Sequence, residues 1–165
     1  MGSPSRDHAP NTCAATPKSA APKVVFRVQH PSDGYGPYRP GLSHRWTDLL
    51  HEVRNPSILT DFDEAVFSRL SPNRFNGCAL ESLGAVRKWF SPIEREKLAK
   101  LGFALVALAA HSIVARSDRQ LLISRTEPFR SGALELPWEV LSSGEVAPEE
   151  ASPRQVVKPI RDEVQ

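Results

Sequence analysis

A chain of 165 residues holds one hydrophobic core, and an apolar fraction of 40% with 15 prolines against 9 glycines places that core between irregular flanks. A formal charge of +2 and a pI near 8.7 are too mild for binding to a polyanion by bulk electrostatics. Two cysteines, Cys13 and Cys78, exclude a disulfide framework and fit a reducing compartment.

Residues 1–22 carry Pro4, Pro10, Pro17 and Pro22 and no aromatic residue, the composition of a disordered tail. The tail lacks the apolar run of a signal peptide, and the longest apolar stretch, 103–110, is far shorter than a membrane span. The expected location is cytoplasmic, with no membrane partner. Val24, Val25, Phe26 and Val28 predict a first strand that ends at Pro31. The glycines and prolines of 32–41 predict a shaped loop that carries Tyr35, Tyr38 and Arg39. Apolar residues at helical spacing predict helices over 46–53 (Trp46, Leu49, Leu50, Val53) and 62–70 (Phe62, Ala65, Val66, Leu70), the second capped by Asp61.

A short apolar step at 76–80 leads into a helix over 81–90, with Leu83, Val86, Trp89 and Phe90 on one face. Ser91, Pro92 and Glu94 then combine an N-cap serine, proline at the first helical position and glutamate at the third. That capping box starts a new helix at Pro92, and Gly102 stops it. The run 103–108 predicts a strand buried on both faces. Strands over 112–116 and 120–124 follow around a polar turn at 117–119. The order gives an α+β fold: a small mixed or antiparallel sheet with a helix pair packed on it, in a single domain over 23–141. Residues 142–165, proline-dotted and without aromatics, predict a second loosely ordered or disordered tail.

The sequence contains no phosphate loop ending in Lys-Ser/Thr, no nucleophile elbow and no Cys-x-x-Cys pair. The five histidines never fall at i, i+4, so no metal is expected. His44, Asp48 and His51 predict a solvated polar face. Arg27 stands between Phe26 and Val28 in an otherwise apolar strand. It is either the solvent-facing position of that strand or a guanidinium turned into a cleft, where it needs an anion. In the second case Tyr35, Tyr38 and Arg39 add flat rings and a cation suited to a base and a phosphate.

An early-strand arginine, the step Cys78-Ala79-Leu80-Glu81-Ser82-Leu83 into a helix, and the late run 120–130 together resemble the three-part layout of ADP-ribosyltransferase-like domains. The resemblance spans roughly 24–130 and implies a split sheet that binds NAD as substrate. It assigns Arg27 to the NAD ribose or adenosine, Ser82 to the pocket wall, and Gln120 to the place of the catalytic glutamate. An amide there holds a ribose hydroxyl but supplies no negative charge to an oxocarbenium-like transition state, a loss of about 10²-fold. Either catalysis is weak, or another acid such as Asp118, Glu127 or Glu135 serves as the catalytic group, or the domain binds a nucleotide and does no chemistry. Residues 81–102 also resemble small proteins of unassigned role from bacteria and their phages.

These features predict an ADP-ribosyltransferase-like domain that transfers ADP-ribose or cleaves NAD at the nicotinamide ribose. Its partners are the nucleotide and a protein target. The alternative is a non-enzymatic interaction module of bacterial or phage origin that docks a protein through the Tyr35-Gly36-Pro37-Tyr38 loop. A single-strand nucleic-acid binder using Arg39, Arg45 and Arg74 is disfavoured by the near-neutral charge.

Overall fold

A computed structural model of the chain describes residues 21–142, and the two expected tails lie almost wholly outside that span. Among the described residues six strands and five α-helices follow one another as β1 (Lys23–Gln29), α1 (His51–Arg54), α2 (Ile58–Asp61), α3 (Glu64–Phe67), β2 (Phe75–Ala79), α4 (Leu83–Trp89), α5 (Pro92–Lys100), β3 (Ala104–Ala110), β4 (Ser112–Arg116), β5 (Leu121–Arg125) and β6 (Leu134–Leu136). The fold is α+β, built on two antiparallel three-stranded sheets with strand orders β1-β3-β6 and β2-β5-β4.

The period-2 alternation of β1 sorts its side chains between two cores. Val28 joins Trp46, Val86, Trp89, Leu98 and Leu105 on the side of the helices, with Phe26 packed against them. Val25 joins Val106, Leu108, Leu121, Ile123 and Phe129 on the side of the second sheet. β3 contributes Leu105 to one cluster and Val106 and Leu108 to the other, as expected of a strand buried on both faces. The two sheets are stitched where Phe26 and Leu80 exchange backbone hydrogen bonds of 2.8 and 2.7 Å.

The helix pair forms as its caps dictate. The Ser82 hydroxyl accepts from the Ala85 amide at 3.1 Å to start α4. Ser91 and Glu94 close the full capping box of α5, and Gly102 follows that helix at φ 84°, a left-handed conformation open to glycine.

The region 46–70 departs from expectation. It holds three single-turn helices in place of two longer ones, and α3 is preceded by Asp63 in the cap position, while Asp61 closes α2 and turns its carboxylate to Ser117 and Gln120. Trp46 is fully buried, yet Leu49, Leu50 and Val53 face solvent. The reason is His51, which takes the inward position of α1 to bond Glu94 and so rotates its apolar neighbours outward. Pro56 separates α1 from α2. β6 was not expected. It spans three residues, too few for an alternation signal, and pairs with the free edge of β3 through Leu136 opposite Leu105.

Candidate functional site

A pocket of about 280 Å³ opens where β1, the loop after it, the end of β2 and the end of α4 converge. The loop owes its shape to local bonds. The amide of Gly34 donates to the His30 carbonyl at 2.8 Å, and Asp33 Oδ1 accepts from the Tyr35 amide and from Arg39 Nη2, each at 2.9 Å. Trp46 Nε1 donates to the Pro37 carbonyl at 3.2 Å and ties the loop to the core. Gly34 has φ 74°, and a Cβ there would lie 2.8 Å from the Arg130 amide, so only glycine fits the turn.

Arg27, Tyr35, Tyr38, Arg39 and Gln120, widely spaced in sequence, all line this pocket. Arg27 reaches it on the inter-sheet face of β1. One guanidinium nitrogen donates to the Cys78 carbonyl, and the group stacks on Phe129 with 4.2 Å from Cζ to the ring centroid. Its Nε is buried without a hydrogen-bond partner, and no carboxylate among the described residues forms an ion pair with it. Burial pushes its pKa down to about 10, partly offset by the nearby Cys78 thiol, so the group is still a cation at neutral pH. The same burial pushes Cys78 up to about 11 against the pull of Arg27, and the thiol stays protonated.

Glycine makes room for this cation. A Cβ on Gly77 would stand 2.8 Å from Arg27 Nη1 and 3.0 Å from Phe129 Cζ. Arg39, by contrast, is neutralised by Asp33 and lies 5.6 Å over the Tyr35 ring.

The opposite wall is aromatic. Tyr38 leaves 52% of its surface exposed while its hydroxyl is tucked inward, accepting from Trp89 Nε1 at 2.6 Å and lying 2.9 Å from His51 Nε2. Burial of that end raises the phenol above its ordinary range, against the lowering effect of the Trp89 hydrogen bond. His51 is only 2% exposed, so the solvated polar face expected of His44, Asp48 and His51 is not formed. The imidazole instead sits 2.8 Å from the fully buried Glu94 carboxylate. The contact joins residues 43 positions apart, which no local pattern signals.

Two proposed site residues lie elsewhere. Ser82 spends its hydroxyl on the first turn of α4 and does not line the pocket. Glu127 leaves 68% of its side chain exposed beside Arg125, because the turn after β5 carries it out to solvent. Among the described residues no carboxylate lines the pocket; behind Gln120 stands Asp61, whose Oδ2 accepts from Gln120 Nε2 at 2.9 Å. Phe129, Gly77 and Asp61 were not foreseen as site residues, since each acts on a residue far from it in sequence.

Among the described residues no helix is long and apolar enough to cross a membrane, and no group of three or more His, Cys, Asp or Glu is arranged to hold a metal ion. No curated protein and no solved structure matches the chain significantly. A family model described as Bacteriophage T4 Y00F protein matches residues 20–134, which covers well over half of the chain and every lining residue of the pocket. The chain therefore belongs to the Bacteriophage T4 Y00F protein family, whose description states a phage origin and no activity.

Proposed function

We propose that this chain is a nucleotide-binding module that takes the ring-bearing, anionic part of NAD or a closely similar nucleotide into the pocket beside Arg27. The observation that carries the reading is the Arg27 guanidinium itself, a half-buried cation with a buried, unsatisfied Nε and no carboxylate partner among the described residues, facing an apolar and aromatic pocket. A partly desolvated charge without a counter-ion costs stability, and an anionic ligand is what offsets that cost. Tyr38 offers a ring face held from behind, suited to stacking on a base or nicotinamide.

The volume, near the lower limit of about 300 Å³ common for small-molecule sites, suits one ring and its sugar rather than a whole dinucleotide. The remainder would extend past Tyr35 and Arg39 at the mouth. Gln120 in place of an acid supports binding without cleavage, because its amide can hold a ribose hydroxyl yet gives no charge stabilisation.

Calorimetric titration with NAD, followed by chromatography of the nucleotide after prolonged incubation, tests both halves. Binding with intact NAD recovered is expected. Release of nicotinamide would overturn the binding-only reading, and absence of any heat of binding would overturn the site.

A further inference from the structure

Gln120 lines the pocket from the turn that precedes β5, and the bonds of that turn orient its amide. A glutamine amide has a donor end and an acceptor end, so the partner that holds one end decides which end meets a ligand. The partner is Asp61. Ser117 Oγ accepts from the Arg119 amide at 3.1 Å and the Gln120 amide at 3.0 Å, and directs its own hydrogen to Asp61 Oδ2 at 2.5 Å. The same carboxylate oxygen accepts from Gln120 Nε2 at 2.9 Å. A carboxylate has no hydrogen to donate, so the amide nitrogen of Gln120 belongs to Asp61 and Oε1 is turned away from it.

That oxygen is open. It accepts no hydrogen bond from a described residue, and it is not sealed off as the unpartnered Gln29 Oε1 is. Gln120 is only 5% exposed and lines the pocket, so the pocket is where Oε1 opens.

Arg27 supplies the complementary pole. One guanidinium nitrogen, Nη1, is spent on the Cys78 carbonyl, while Nη2 has no acceptor among the described residues and is not sealed off. Gln120 directly precedes Leu121, the strand partner of Ala79, so the end of β2 brings both side chains to one pocket. The pocket thus offers donors at Arg27 and an acceptor at Gln120.

Resting on the nucleotide reading of this pocket, we propose that Asp61 is a positioning residue that fixes Gln120 as a hydrogen-bond acceptor, and that Gln120 selects nucleotides presenting a donor there while Arg27 holds the anion. NAD carries such donors on its carboxamide, its purine amino group and its ribose hydroxyls. A carbonyl in the same place would set lone pairs against lone pairs, and a site built for a hydrogen bond rejects an analogue that lacks it.

Calorimetry with the full chain compares NAD with two analogues that each replace one amino donor. The hypoxanthine dinucleotide has oxo for amino on the purine, and the acetylpyridine dinucleotide has methyl for amino on the carboxamide. Affinity about tenfold weaker is expected for the analogue whose missing donor faces Gln120. Gln120→Met should lower NAD to that affinity and cost that analogue nothing more. If both analogues bind as NAD does while Gln120→Met still loses about tenfold, the donor is a ribose hydroxyl. Native affinity for NAD in Gln120→Met, or a further loss when variant and analogue are combined, overturns the inference and leaves the Arg27 site standing. No binding of NAD by the native chain overturns the site itself.

The role of Asp61 is read in the native protein by NMR of the Gln120 side chain. On addition of NAD the Cδ resonance is expected to move while the Nε2 hydrogens keep their shifts. Movement of those hydrogens with Cδ unchanged would overturn the proposal. Asp61→Asn, which keeps an acceptor, should retain NAD affinity, and Asp61→Leu should lose it several-fold; equal loss in both would contradict the positioning role.

Discussion

At the scale of single residues, the site depends on how closely backbone and guanidinium approach. A methyl group on Gly77 would meet Arg27 Nη1 at 2.8 Å and the Phe129 ring at 3.0 Å, whereas one on Gly36 would meet Arg27 Nη2 at an ordinary 3.5 Å. Gly77→Ala should therefore displace the cation, destabilise the fold by about 1–3 kcal/mol through overpacking, and weaken NAD binding, with Gly36→Ala nearly neutral in both. Chemical denaturation and calorimetry on the two variants check this.

Cys78 gives an independent measure of the same environment. With its thiol pushed up to about 11, its thiolate fraction at pH 8 is lower than that of a free cysteine by about two orders of magnitude. In a Cys13→Ala background, Cys78 should be alkylated at least that much more slowly in the native protein than after denaturation.

The residues that sequence reasoning singled out divide by what each depends on. Arg27 is conspicuous because a cation interrupts an apolar strand, and Gln120 because the resemblance sets it in the place of a catalytic glutamate; both line the pocket. Ser82 and Glu127 are not there, since Ser82 is consumed as a helix cap and Glu127 follows a turn outward. The partners that complete the site were not legible. Phe129 reaches Arg27 across 102 positions and Glu94 reaches His51 across 43, and no periodicity connects them.

At the scale of elements, strong local rules were readable and weak ones failed. The capping box of α5 rests on three adjacent residue types and forms as written. Ser91 also donates to Asp48 Oδ2 at 3.0 Å, so Ser91→Ala should cost about 1–2 kcal/mol by thermal denaturation, at the upper end for a lost N-cap. Leu98, fully buried between α5 and the first sheet, should cost about 2–5 kcal/mol on Leu98→Ala. The helices of 46–70 defeated a periodicity argument, because a buried histidine with a carboxylate partner can outrank leucines for the inward position.

At the scale of the whole molecule, surface charge pairs set how stability varies with pH. Hydrogen bonds from Arg54 hold Asp48 below its ordinary range, Lys23 does the same for Glu81, and Lys100 for Glu96. A carboxylate whose folded pKa is lowered contributes stability that is present above its unfolded pKa and lost as pH falls through the folded value. Unfolding followed from pH 7 downwards should therefore show stability flat at first and declining below the ordinary carboxylate range. The exposure of these pairs makes that decline shallow and sensitive to salt.

Arg27 has the opposite sign. Its folded pKa of about 10 lies below its ordinary value, so the charged form is a standing cost at neutral pH that a bound anion offsets. Ligand should accordingly raise the melting temperature by mass action.

The most direct test of the account is calorimetric titration of NAD at pH 7 into the native chain and into Arg27→Gln. Loss of one charge-assisted contact of about 1.5–3 kcal/mol predicts binding by the native chain and affinity weaker by about tenfold to a hundredfold in the variant. Equal affinity in both, or no binding by the native chain, would contradict it.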